Sequence, residues 1–124
     1  MTRDMELIRL ILLEIQSRKD IAPKTIEISG YDDLVVARHL ELLKQAGLID
    51  GIQSTPISVP YSIIMVKDLT WTGHDFISAL ENETVWKKIK QTYSPSELAT
   101  MPLAAIKTVG LGLLTEWAKS KIGL

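Results

Sequence analysis

The residues with the clearest chemical potential are two cationic side chains, Arg38 and Lys44, in a segment whose apolar residues recur at helical spacing. On a helix of that spacing they point away from the apolar stripe, together with Ala37 and Glu41. In the major groove of DNA, Arg38 could pair with a guanine edge and Lys44 could contact a phosphate. The predicted DNA-binding set is therefore Ala37, Arg38, Glu41 and Lys44.

The charge pattern around this helix opposes strong DNA binding. The net charge is −1, and no Lys or Arg occurs between Lys44 and Lys67. Asp32 and Asp33 stand at the predicted start of the helix, where carboxylates stabilise the helix but repel phosphates. Because few counterions would be released on binding, any affinity for DNA is expected to be weak.

A second candidate for chemistry is the run Gly73-His74-Asp75, which invites comparison with the His-Asp metal phosphohydrolases. Such sites need several further His and Asp ligands, whereas this chain has two histidines and no cysteine. His39, beside the apolar stripe, is interpreted as a packed or surface histidine. Phosphate-binding, dinucleotide-binding and nucleophilic-serine motifs are also absent. The sequence therefore predicts neither an enzyme nor a metal or cofactor site.

The apolar periodicities predict an α+β fold, a winged helix-like domain with additional C-terminal helices. Predicted strands 25–29, 48–53 and 61–67 form one small three-stranded antiparallel sheet. The first predicted helix starts at residue 2 or 3 and ends at 17. Three further helices are predicted over 32–45, 70–80 and 83–92. A capping box over 94–97 starts another helix, and the last one runs from 100 or 102 to 121. Residues 31–33 leave no room for a further helix before the second one. Arg9 is expected outside the buried stripe of the first helix, and Trp71 and Trp86 inside the core.

The last predicted helix is apolar around most of its circumference. Its main stripe consists of Leu103, Ile106, Val109, Leu113 and Trp117. A small domain has limited surface to cover such a helix, so these residues are predicted to hold two copies together. The expected division is a winged helix-like domain over 1–82 and a helical extension over 83–124, packed on it or on a partner copy. The apolar run 101–114 is too short to span a membrane, so a cytoplasmic protein is expected.

Two motifs resemble winged helix-turn-helix proteins. The run from Val36 to Ile49 is similar to a recognition helix with its first wing strand, and the run from Leu69 to Ile77 is similar to the junction after the last wing strand. With segments that begin at Arg3 and Thr84, the chain further resembles a domain-of-unknown-function family of small bacterial and prophage proteins. The resemblance implies a winged helix-like fold and a phage or mobile-element setting, and it assigns no functional residues.

Two functions follow as alternatives. The leading hypothesis is a DNA-binding transcriptional regulator that binds DNA weakly or as a dimer. The rival is a protein-protein interaction module that kept the winged-helix scaffold and lost its DNA surface, such as an accessory or host-modulating factor. Three features favour the rival: the scaffold helix that should precede the helix over 32–45 is shortened or missing, the wing is neutral, and Asp32 and Asp33 stand together.

Overall fold

The computed structural model describes residues 1–124 and has an α+β fold with six helices and one two-stranded antiparallel sheet. The elements are, in chain order, α1 Met5–Ser17, α2 Asp33–Gln45, β1 Ile49–Ser54, β2 Ile63–Leu69, α3 Trp71–Ser78, α4 Glu83–Thr92, α5 Pro95–Thr100 and α6 Leu103–Lys121. The chain divides into two units, a hairpin unit (residues 6–74) and a helical unit (residues 1–5 and 75–124). No helix is long and apolar enough to cross a membrane.

Helix α1 buries most of its apolar residues, but its charged residues are not all outside. Leu7, Ile11 and Leu12 are inaccessible to solvent, as their helical spacing requires. The prediction that Arg9 faces outward is wrong, because Arg9 is only 3% exposed. Arg9 lies four residues after Met5 and three before Leu12, and such neighbours share one helix face. The buried face of α1 is therefore wide enough to include a cation.

Helix α2 ends in a turn that contains Gly47. Gly47 has a φ of +76°, its N–H donates to the carbonyl of Lys44 at 3.0 Å, and the N–H of Leu48 donates to the carbonyl of Leu43 at 3.0 Å. This pair of hydrogen bonds is the Schellman arrangement, which needs a left-handed residue at the first position after the helix. The turn sends the chain directly into β1. No helix lies between α1 and α2, as predicted.

The sheet contains only the hairpin strands. β1 and β2 pair in antiparallel register from Ile49 opposite Leu69 to Ser54 opposite Ile63, with a bulge after Asp50. The predicted third strand over 25–29 is wrong. A single bridge, in which Lys24 and Val66 exchange hydrogen bonds of 3.0 and 2.7 Å, is all that forms there.

A turn ends the extended segment that follows the bridge. The N–H of Tyr31 donates to the carbonyl of Ile28 at 3.2 Å, and Gly30 adopts a φ of +87°. The segment from Thr25 to Ile28 is therefore followed by a turn towards α2, and it makes no further bridge to β2. Alternation of apolar and polar residues describes an extended segment, but pairing also depends on where the next turn leads the chain.

In the helical unit, local capping signals fix the starts of two short helices. The side chain of Asn82 accepts the Val85 N–H at 3.0 Å at the start of α4, and Ser94 with Glu97 forms the predicted capping box of α5. Trp86 on α4 is fully buried, as predicted. The guanidinium of Arg3 donates to the carbonyls of Leu98 at 2.7 Å and of Met101. Burial lowers the pKa of Arg3 from its ordinary value.

Candidate binding surfaces

The two sequence motifs meet at one junction in the hairpin unit. Thr70 precedes α3, its N–H donates to the carbonyl of Leu48 at 3.0 Å, and its hydroxyl donates to the carbonyl of Gly47 at 2.6 Å. The same hydroxyl oxygen accepts the N–H of Gly73 at 3.0 Å, so Thr70 caps α3 while it contacts the end of α2. A side chain on Gly73 would place its Cβ 2.0 Å from the Leu48 oxygen. These motif residues therefore hold elements together and offer no group for chemistry.

The predicted DNA-binding set on α2 is only partly accessible. Arg38 is exposed, but its guanidinium forms an ion pair with Glu41, whose side chain is 19% exposed. Lys44 is half-buried. The expectation that Ala37 faces outward is wrong, because Ala37 is 8% exposed and belongs to the buried residues of α2. Ala37 lies three residues before Leu40, on the face that packs inward.

The start of α2 is acidic and also apolar at its surface. Asp32 and Asp33 are both exposed, and the Asp32 side chain makes no capping hydrogen bond. Leu34, next in the chain, is exposed as well. The helix end that docks on DNA in a recognition helix thus presents two carboxylates and a leucine, which neither attract phosphates nor read base edges.

The loop between the hairpin strands carries no charge. The hydroxyls of Thr55 and Ser62 lie 3.0 Å apart across its base, and Ile57 at its tip is fully exposed. A wing that contacts DNA normally brings cations to the phosphates. This loop offers hydroxyls and one isoleucine instead.

The two histidines have separate environments. His39 is completely buried, with its Nδ1 2.8 Å from the carbonyl oxygen of Val35 one turn earlier. His74 is exposed on α3. His39 is therefore a packed side chain of α2, one of the two readings that its position beside the apolar stripe allowed.

Helix α6 buries its residues only in its first half. Ile106 is 1% exposed, and Gly110 is packed so closely that a Cβ there would lie 2.6 Å from the carbonyl oxygen of Ala79. No residue from Leu111 to Leu124 is buried. The other predicted dimerisation residues, Leu103, Val109, Leu113 and Trp117, are half-buried, and the Lys121 Nζ lies 5.5 Å from the centre of the Trp117 ring.

Trp71 is exposed, so the prediction that it lies inside the core is wrong. The side chain is 83% exposed, while Phe76 and Ile77 of the same helix are buried. At about 100° per residue, Trp71 lies about 140° and 240° around the helix from those two residues. Its apolar character suggested burial, but its angular position excludes it from the buried face.

A half-open groove of about 150 Å³ lies within the hairpin unit. Its lining comes from residues 25–27, from α2, and from β2 with the residue Tyr61 shortly before it. The lining residues are Thr25, Ile26, Glu27, Asp33, Ala37, Leu40, Tyr61, Ile63 and Ile64. Pockets for drug-sized ligands and cofactors occupy about 300–1,000 Å³, so this groove has room for one side chain rather than for a cofactor. Sequence patterns did not predict it, because it exists only where the third strand fails to form.

Comparison with known proteins places the chain in a family without an assigned activity. Residues 2–98 match the family described as "Hypothetical protein (DUF2513)". An "Uncharacterized protein" of Haemophilus influenzae is 32% identical over 118 residues, which cover 94% of this chain and 98% of that relative. No solved structure matches. The resemblance to a domain-of-unknown-function family is thus confirmed, while the phage setting stays a prediction. The chain belongs to the DUF2513 family.

Proposed function

We propose that this protein is a non-enzymatic protein-interaction module on a winged helix-like scaffold, and that two copies assemble through α6. The order of α1, the Lys24 bridge, α2 and the hairpin supports the scaffold. The observation that carries the interaction is that α6 buries no residue beyond Gly110. A helical segment as short as the part of α6 that follows Gly110 is marginal in water when isolated, and most helices gain their stability from a packed apolar face.

The spacing of α6 supports a self-complementary contact. Ile106, Gly110, Leu113 and Trp117 follow one another at intervals of four, three and four residues, so they lie along one stripe. The first two members are buried within the chain, and the last two continue the stripe as half-buried residues. A twofold dimer is the commonest closed arrangement for such a patch. Full burial of a Leu-sized side chain contributes ~1.5–3 kcal/mol, so several half-exposed residues per copy are needed to offset the entropic cost of association.

Light scattering after size-exclusion chromatography tests the assembly. Wild type is expected to elute as a dimer at micromolar concentration, and the double variant Leu113→Gln, Trp117→Gln as a folded monomer with unchanged helical circular dichroism. Lys87→Ala, on an exposed position of α4, is the control and leaves the dimer intact. Wild-type monomers at micromolar concentration would refute assembly through α6.

DNA binding is the second candidate, and one observation favours it. Helix α2 runs directly into the hairpin, which is the order of a recognition helix and its wing. Arg38 would have to leave Glu41 to reach a base, and the acidic start of α2 would face the phosphates. Fluorescence anisotropy with labelled duplex DNA is therefore expected to give weak binding with a shallow salt slope. If DNA is bound through α2, the double variant Arg38→Ala, Lys44→Ala weakens it; undiminished binding would exclude α2 as the reading element.

A further inference from the structure

The groove of the hairpin unit ends at backbone groups that have no partner. Lys24 uses both the N–H and the carbonyl of Val66, and alternate residues of an antiparallel strand direct these groups to the same edge. Ile64 therefore directs its N–H and carbonyl to the side of the groove, where no backbone hydrogen bond reaches them. Ile64 is only 1% exposed. Unpaired backbone groups of a buried residue are rare, because burial without a hydrogen bond is unfavourable.

The charges of the groove favour a cation. Glu27 and Asp33 are its ionisable lining residues with carboxylates, and no Lys, Arg or His is among its lining residues. Both carboxylate residues are exposed, and Asp32 adds a third carboxylate beside Asp33. The remaining lining is apolar, apart from the Thr25 and Tyr61 hydroxyls. A side chain that suits this lining has an apolar stem and a cationic, donor-rich end.

We propose that the groove binds an arginine side chain presented by a partner protein. The methylene stem would pack against Ala37 and Ile63, and the guanidinium would donate to the carboxylates of Glu27 and Asp33. The carbonyl oxygen of Ile64, another lining residue, is a further acceptor. The volume of about 150 Å³ is consistent with one long side chain. This inference rests on the proposed role in protein interaction and names the chemistry of the partner.

Titration of the full chain with short peptides tests the proposal. The probe is Ac-Gly-Arg-Gly-NH2, and its neutral counterpart carries citrulline in place of arginine. In ¹H–¹⁵N correlation spectra, the arginine peptide at roughly millimolar concentration is expected to shift the amide signals of the lining residues, including Glu27, Asp33 and Ile64. The citrulline peptide should bind at least about tenfold more weakly, since it lacks the charge.

Charge-neutral variants locate the contact. Glu27→Gln and Asp33→Asn remove one carboxylate each from exposed positions, and each is expected to weaken binding by about twofold to fivefold. Glu14→Gln, an exposed carboxylate of α1 outside the groove, is the matched control and leaves the affinity unchanged. Equal affinity for the citrulline peptide, equal effects of all three variants, or shifts confined to other residues would overturn the proposal.

The outcome separates this site from the α6 contact. A wild-type dimer that shifts no groove signal with the arginine peptide would remove the groove proposal alone. A wild-type monomer that still binds the peptide through Glu27 and Asp33 would remove the α6 assembly and leave the groove.

Discussion

Replacement of Gly73 by alanine is expected to destabilise the hairpin unit, although alanine is the better helix former. The new Cβ would lie 2.0 Å from the carbonyl oxygen of Leu48 and 3.0 Å from its carbonyl carbon. Carbon–oxygen contacts settle at about 3.3–3.6 Å even where a weak C–H···O attraction exists. Because the obstacle is backbone, no side-chain rotation relieves the overlap, and α3 or the start of β1 has to move.

The magnitude follows from what that movement breaks. The Leu48 carbonyl also accepts the N–H of Thr70 at 3.0 Å, and the Thr70 hydroxyl binds the Gly47 carbonyl, so a shift weakens the whole junction. Overpacking costs ~1–3 kcal/mol and a lost hydrogen bond ~0.5–1.5 kcal/mol. The intrinsic preference of helices for alanine returns ~0.5–1 kcal/mol. The net expectation is a loss of about 0.5–4 kcal/mol in the free energy of unfolding.

Urea unfolding followed by circular dichroism measures this loss, with a matched substitution elsewhere in the chain. Gly112 also lies inside a helix, but a Cβ there has no atom within 4 Å, so Gly112→Ala is expected to stabilise by ~0.5–1 kcal/mol. Opposite signs for the two glycine-to-alanine changes are the signature of the steric argument. A Gly73→Ala protein as stable as wild type would show that the close approach of Gly73 to Leu48 is not a constraint.

Two further predictions concern side chains whose environments differ sharply. Trp71→Ser should change the free energy of unfolding by no more than about 0.5 kcal/mol because Trp71 is exposed. Trp86→Ala should cost ~3–5 kcal/mol because Trp86 is buried. Equal losses for the two variants in urea unfolding would contradict the burial pattern. The Lys24 ammonium and, next, the Ala22 N–H lower the pKa of Asp20 from its ordinary value. The stability that Asp20 contributes should therefore be present above its ordinary pKa of about 3.9 and lost as the pH falls through the lowered folded value, so the urea midpoints of wild type and Asp20→Asn should differ at pH 7 and converge at about pH 2.

Helix starts and ends could be predicted where the signal is local. The capping box at Ser94 and the glycine end of α2 at Gly47 need only neighbouring residues, and both formed as the sequence indicates. The missing third strand shows the opposite case. Thr25 to Ser29 alternate as a strand would, but pairing with β2 depends on how closely the two segments approach, and only Lys24 forms a bridge.

Site residues were harder to predict than elements, for a geometric reason. Ala37 and Trp71 were assigned by residue type and approximate face, but Ala37 is buried on α2, whereas Trp71 lies far around α3 from the buried residues of that helix. The pairing of Arg38 with Glu41 follows from their spacing of three residues on α2, which places opposite charges side by side. Because of that ion pair, Arg38, the leading cation of the predicted DNA-binding set, binds a carboxylate of its own helix.

The junction at Thr70 explains why the two motifs indicate local structure rather than function. The first motif ends in Gly47 and Leu48, the second contains Thr70 and Gly73, and these four residues contact one another through backbone carbonyls and one hydroxyl. Such contacts specify how a helix, a hairpin and the next helix meet. They do not depend on which partner the protein binds. Residues that serve a partner must instead be those that the junction leaves free. In the hairpin unit these include Glu27 and Asp33 at the groove, whose carboxylates are exposed.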